Sequence, residues 1–566
     1  MKLEHLVPLR VQILFALIII VGLSFGSSQA NADPGVALHH EIDRLLVSVP
    51  GALVLQPADD SEFLRRVSLD LTGQIPSGAA VREFLMDHAT DKRAVVIDRL
   101  LESPAYSRQM QQVFDTWLMQ RRPDRNVPNE QWTSYLREAF STNKPWDQLA
   151  IEVLGSDGTN PQTRAAAKFY LDRECNTDDL ARDISAVFLG RNHRCAQCHD
   201  HPIVPDYKQS DYFGIAAFVD RTFLFDDKVR KQKVMAEKAE GVTAFTSALT
   251  QIRGVTPPRI LDGPEFCDPI LEKGDSTAAS SAEGAPPIPP FSRRAQLPAA
   301  VVLHPAFSRN MANRLWALMF GRGIVDPVDL DHAGNPPAHP VLLQLLSERF
   351  VQMHYDIRAF LRELALTELY GSALPSSPTG SAQIPPGNSG VTLALRKLTP
   401  EQLAWSWLRA TGQVDAELQL LVSELPSDDQ KSATSAGSLR SINDSKLYER
   451  LTVDAQKVIK VFVTSLPGEA SRSETTAEQA LYLLNGPILR KWISPRPGNL
   501  LDRLMHETSE IQLTEELFLN VLSRPPVSQE TSWVQETLAA SPAERVTTIS
   551  DLIEALLTST EFRFNH

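Results

Sequence analysis

Apolar positions along this chain recur mostly three and four residues apart, the spacing of one helix face. Val96, Ile97, Leu100 and Leu101 form one such stripe, which ends before Ser103-Pro104. Leu180, Ile184, Val187 and Phe188 form a second, stopped by Gly190. In the second half, Phe307, Met311, Leu315, Leu318 and Met319 share a face that stops at Gly321 and Gly323. Two more stripes follow, Leu342 to Met353 and Ile357 to Leu364. Start signals agree with these stripes: Ser77 and Asn176 or Thr177 are candidate caps, and Thr399-Pro400-Glu401-Gln402 and Thr476-Ala477-Glu478-Gln479 carry capping-box grammar. Trp132, Tyr135, Phe140 and Trp146 read as core aromatics. The pattern predicts a mainly α, multi-helical protein. The charged run Asp226 to Glu240 is read as a solvated helix, and Pro257 to Gly263 as a short strand and turn.

Composition divides this helical chain into parts. Lys2 and Arg10 flank an apolar run, Val11 to Phe25, followed by Ala30-Asn31-Ala32, which fits an export signal over residues 1–32. The run falls short of the about 20 apolar residues of a membrane span. The expectation is therefore an exported protein, periplasmic or at the cell surface, with no stable membrane span after signal cleavage. Residues 273–298, rich in Ser, Ala, Gly and Pro, read as a linker between a first domain, 33–272, and a second, 299–566. Gly371 to Gly390 and Pro426 to Asp444 read as further mobile loops. A net charge of -13 argues against nucleic acid as a partner.

Candidate chemistry gathers in one place. Of 4 Cys and 13 His in the chain, His193, Cys195, Cys198, His199 and His201 fall within nine residues. Cys195-Ala-Gln-Cys198-His199 has the C-x-x-C-H form that attaches haem c, with two thioethers and an axial imidazole. Here Cys195 and Cys198 would make the thioethers and His199 the proximal ligand. A distal ligand must come from elsewhere. Met235 sits in the charged run and is a poor candidate, and Met311, Met319, His304 or His339 serve only if the second domain closes over the first. A non-haem metal, zinc or iron, held by Cys195 and Cys198 with His199 or His201, and with His193 as a further ligand, is the alternative. A disulfide or redox pair of Cys195 and Cys198 is the third reading. Cys175 and Cys267 either pair in an oxidising compartment or stay as thiols. The loop Asp326 to Pro340, with Asp326, Asp329, Asp331, His332 and His339, reads as capping and hydrogen bonding in preference to a cation site. No G-x-S-x-G or H-E-x-x-H motif appears, and an enzymatic activity is not assigned.

Phe188-Leu189-Gly190 through Pro202, with Asp211-Tyr212 and Ala216-Ala217-Phe218, resembles a family of exported planctomycete proteins of unknown function. The N-terminal half of that family is called cytochrome-c-like. Arg65 to Gly73 and Leu100 to Tyr106 look like the same half. Asn313 to Trp316, Gly321-Arg322-Gly323, Asn335 to Pro340, Leu398 to Gln402 and Asn485-Gly486-Pro487 are similar to the planctomycete-specific domain that follows it. The resemblance implies two helical domains in that order but no activity. The functions expected are periplasmic electron transfer with an unknown redox partner or, in the alternative, metal binding or an interaction role beside extracellular polymer-processing proteins.

Overall fold

The computed structural model describes residues 35–47, 55–270, 283–374, 391–424, 437–463 and 476–565. Residues 1–32, the expected export segment, lie outside them.

Local sequence sets the helix ends. Helix α1 (Asp60–Thr72) starts at Asp59, whose carboxylate accepts the Glu62 N–H at 2.8 Å. It ends at Gly73, left-handed at φ 71°, a conformation that costs a side chain roughly 1–2 kcal/mol. Helix α2 (Thr177–Leu189) starts at Asn176, which accepts the Asp179 N–H at 3.0 Å, and stops at Gly190, φ 68°. Helix α3 (Gln209–Val219) follows.

Two small antiparallel hairpins come next. Strand β1 (Thr222–Asp227) pairs with β2 (Gln232–Glu237), and β3 (Ala244–Thr246) pairs with β4 (Arg253–Val255). The first corrects the expected helix over Asp226 to Glu240. Three of the charges, Lys228, Arg230 and Lys231, sit in the turn, where Asp227 Oδ1 accepts the N–H groups of Val229 and Arg230 at 2.9 and 3.0 Å. Val234, Met235 and Ala236 are buried, so the strand is held by its apolar half.

In the second half, helix α4 (Pro305–Phe320) lies against α2 and ends at Gly321, φ 85°. Strand β5 (Arg396–Lys397) precedes helix α5 (Pro400–Ala410), whose Thr399–Gln402 capping box forms as expected, as does that of Thr476 and Gln479. The C-terminal strand β6 (Phe564–Asn565) returns to pair with β5. Of the two expected loops, residues 375–390 and 425–436 lie outside the described residues, but Gly437 to Asp444 opens a helix that runs to Phe462.

Residues Ala37–His566 form one compact unit, so the two sequence regions share a core. Trp146 shows how: its ring stacks between Phe188 of α2 at 5.7 Å and Phe307 of α4 at 5.5 Å. Such aromatic contacts are worth about 0.5–1.5 kcal/mol each beyond the area they bury. Residues 273–282 of the expected linker lie outside the described residues, while its last part already folds as a 3-10 turn, Arg294–Gln296, and a helix from Leu297. Arg293 joins it to the hairpin region through Asp268 at 2.8 Å. Among the described residues no helix is long and apolar enough to cross a membrane.

Candidate functional site

The ligand-type residues follow directly on the C-terminus of α2. That helix end is braced by α4: Asn310 Nδ2 donates to Val187 O at 2.7 Å, and Arg314 Nη2 to Ala186 O at 2.9 Å. Both bonds satisfy carbonyls that the helix itself leaves open. A methyl group on Gly190 would lie 2.8 Å from Asn310 Oδ1, so the close approach of α4 needs glycine there as well as the positive φ. Beyond Gly190 the chain is clamped to the loop of the second region. Asn192 N–H donates to Asp329 O at 2.8 Å, and Asp331 N–H donates to Gly190 O at 3.0 Å. The capping and bonding role expected for that loop holds: Asp331 pairs with Arg309, Asp326 with Arg322, and His339 caps a helix by accepting the Leu342 N–H.

His193–Gln197 is a 3-10 turn. It places Cys195 and Cys198 at the surface as free thiols. Cys175 is buried and Cys267 exposed, both also free, and burial raises the Cys175 thiol to about 12.

Hydrogen bonds distinguish the four imidazoles at this place. His199 Nδ1 lies 2.7 Å from Asp200 O. A carbonyl only accepts, so Nδ1 carries the hydrogen and Nε2 offers a free lone pair. His201 Nδ1 accepts the N–H groups of Ile203 and Val204 at 3.2 and 2.9 Å, which puts its hydrogen on Nε2. His332, arriving from the second region, is arranged like His201: its Nδ1 accepts the Gly334 N–H at 3.1 Å. His193 is fully buried, bonded through Nδ1 to Ser185 Oγ at 2.8 Å, and burial with the nearby Arg191 charge lowers its pKa to about 3. Tyr207 joins three of these rings, meeting His193, His201 and His332 edge to face at 4.6, 6.0 and 5.2 Å. Among the described residues no group of three or more His, Cys, Asp and Glu side chains is placed to hold a metal ion.

This donor set suits a covalently held haem. It offers two free thiols and one imidazole whose outer nitrogen is braced by a carbonyl, as metal-binding histidines usually are. Apolar surface stands open beside it. Ala248 N–H donates to Cys198 O at 2.8 Å, which brings the turn of the β3–β4 hairpin to the motif, and there Leu249 and Ile252 are 69 % and 65 % exposed. Ile203 is 83 % exposed.

The distal candidates fare differently. His304 has both nitrogens engaged, Nε2 with Leu261 O at 2.7 Å and Nδ1 with the Ala306 N–H at 3.1 Å. Met235, Met311 and Met319 are buried. His339 keeps a buried Nε2 without a partner. Sequence reasoning gave no role to Ser185, Arg191 or Gln209. Gln209 is nearly buried and its Nε2 donates to Gln197 O at 3.2 Å and Thr246 O at 3.3 Å, tying motif, α3 and hairpin together. A polar residue at the start of an apolar helix was the one available signal for it.

Residues 42–223 match the family described as PSCyt2, a protein of unknown function (DUF1549), and residues 293–538 match PSD1, a protein of unknown function (DUF1553). No curated protein and no solved structure matches the chain. The first family region contains the whole Cys/His stretch, and the second supplies the loop and helix that brace it. The chain belongs to the planctomycete two-domain family of unknown function in which these regions follow one another in this order.

Proposed function

We propose that Cys195 and Cys198 hold one c-type haem and that His199 provides its axial nitrogen, in an exported protein serving electron transfer or redox chemistry in the periplasm or at the cell surface. Each thiol would add S–H across a vinyl group, leaving a thioether on the sulfur and the hydrogen on the neighbouring carbon. The bound group would supply a one-electron iron couple. His199 orients through its Nδ1–H bond to Asp200 O, while the 3-10 turn fixes the spacing of the two sulfurs. The exposed Leu249, Ile252 and Ile203 would exclude water from the ring.

The observation that carries this reading is the state of His199, the one imidazole of the four whose bonding obliges Nε2 to keep its lone pair. A tetrahedral zinc or iron ion would need His193 or His201 in the same sphere, and His201 has spent its Nδ1 on backbone N–H groups. The test is production of the chain in a host that matures haem c. The expected result is a peroxidase-stained band on a denaturing gel and a haem spectrum on reduction, both lost in Cys195→Ala/Cys198→Ala. A colourless wild-type chain from that host would sink the proposal.

A further inference from the structure

The residues on either side of Cys198-His199 are tied to one short segment, residues 207–209. Gln209 Nε2 donates to Gln197 O at 3.2 Å, Gln209 N–H to Asp200 Oδ1 at 2.9 Å, and His201 N–H to Tyr207 O at 2.8 Å. Gln209 is 3 % exposed, and its side-chain amide also reaches Thr246 O at 3.3 Å, so this buckle is anchored in the β3–β4 hairpin. Cys198 and His199 therefore lie between held positions, 197 before them and 200 and 201 after them.

Asp200 carries the tie that bears on the imidazole. Helix α3 opens at Lys208, whose side chain does not cap it, because an ammonium has no acceptor to offer. The Asp200 carboxylate takes that place from nine residues upstream, its negative charge set against the positive end of the helix. The carbonyl of the same residue lies 2.7 Å from His199 Nδ1 and holds the hydrogen there. The tautomer of a neutral imidazole follows the bonds its nitrogens make. This carbonyl belongs to the next residue along, so it stays at Nδ1 only while the backbone of Asp200 is held. Lys208 Nζ, 3.5 Å from Asp200 Oδ2, forms an exposed pair and adds little.

We propose that Asp200 is a positioning residue for His199: through its bond to the N-terminus of α3 it keeps the imidazole in the Nδ1–H form and leaves Nε2 as the ligand nitrogen. The inference rests on the reading of His199 as the axial ligand, but the bonds it invokes belong to the chain alone and form without haem. In the loaded protein, an Nδ1–H held by a carbonyl makes the imidazole a stronger donor to iron, which lowers the reduction potential.

The first arm of the test uses the full mature chain produced without haem and carrying a nitrogen isotope label in histidine only. Side-chain nitrogen signals are read by NMR in mildly alkaline buffer, and His199 is identified by the signal lost in His199→Gln. The wild-type ring is expected in the Nδ1–H form. Asp200→Ala, at an exposed position, should fold as the wild type does yet move His199 to a mixture of both tautomers. Asp200→Asn, whose side-chain oxygen still accepts the Gln209 N–H, should keep the wild-type pattern. The second arm measures the reduction potential of the haem-loaded chain. Both variants remove the charge and only alanine removes the bond, so the potential should rise further in Asp200→Ala than in Asp200→Asn. The expected tautomer pattern in a chain that never stains for haem would keep the positioning role and discard the haem reading. An Asp200→Ala chain whose His199 stays in the Nδ1–H form, an Asp200→Asn chain with the alanine pattern, or equal potentials in the two variants would overturn the role.

Discussion

Asp70 and the Cys195–His201 stretch both lie among arginine and tyrosine, yet the first has its reactive group engaged by the chain and the second leaves its thiols free. Asp70 is completely buried, and both of its oxygens are satisfied. Tyr370 Oη and Arg396 Nη2 donate to Oδ2 at 2.7 and 2.8 Å, and Asn565 Nδ2 donates to Oδ1 at 2.8 Å. Its neighbour Arg66 donates to the carbonyls of Tyr370 and Ser372 at 2.5 and 2.8 Å. Around the Cys pair, thiols stand free at the surface. Both clusters keep buried atoms without a partner, Arg396 Nε and Asn565 Oδ1 in the first and His193 Nε2 in the second. The difference lies in the reactive groups: the Asp70 carboxylate is engaged by the chain, whereas the thiols of Cys195 and Cys198 stay free.

The largest expected effect is at Asp70. Asp70→Ala strips the buried Tyr370 hydroxyl and Asn565 amide of their acceptor and the half-buried Arg396 of its carboxylate, and should destabilise the folded chain by about 3–5 kcal/mol, read from denaturant melts. A loss below about 1 kcal/mol would erase the contrast between the clusters. Next comes His193. Its pKa is about 3 in the folded chain against an ordinary 6.5, so the stability it contributes is complete above pH 6.5 and is lost as pH falls toward 3. Between pH 7 and pH 5 the wild type should lose roughly 2 kcal/mol more than His193→Phe. Equal losses in the two proteins would show that this imidazole is not held neutral. The smallest effect belongs to the thiols: in the haem-free chain Cys195→Ser/Cys198→Ser should change stability by no more than about 0.5 kcal/mol. A large loss there would make the pair structural and weaken the case for an absent occupant.

What could be read along the chain was what is encoded within a few residues. Caps at Ser77, Asn176 and Thr399, stops at Gly190 and Gly321, and the Cys195–His199 spacing depend on neighbours three or four positions away, and all of these appear in the structure. Asp226 to Glu240 was misjudged because its charges resemble a solvated helix, while the burial of Val234 to Ala236 that makes it a hairpin comes from the fold around it. The Asp70 cluster joins residues 300 to 495 positions apart, and no local pattern announces it. The same holds at the motif. The crowd of histidines was visible, but which nitrogen each one keeps free depends on Asp200 O, the Val204 N–H and Ser185 Oγ, and His332 reaches Tyr207 from another region altogether.

The clamp between Asn192 and Asp329, and between Gly190 and Asp331, also has a history in time. A chain delivered N-terminus first presents Cys195 and Cys198 long before the segment carrying Asp329 follows. Until that segment arrives, the turn carrying the two sulfurs is tethered only within its own region; once it arrives, the turn is held from both sides.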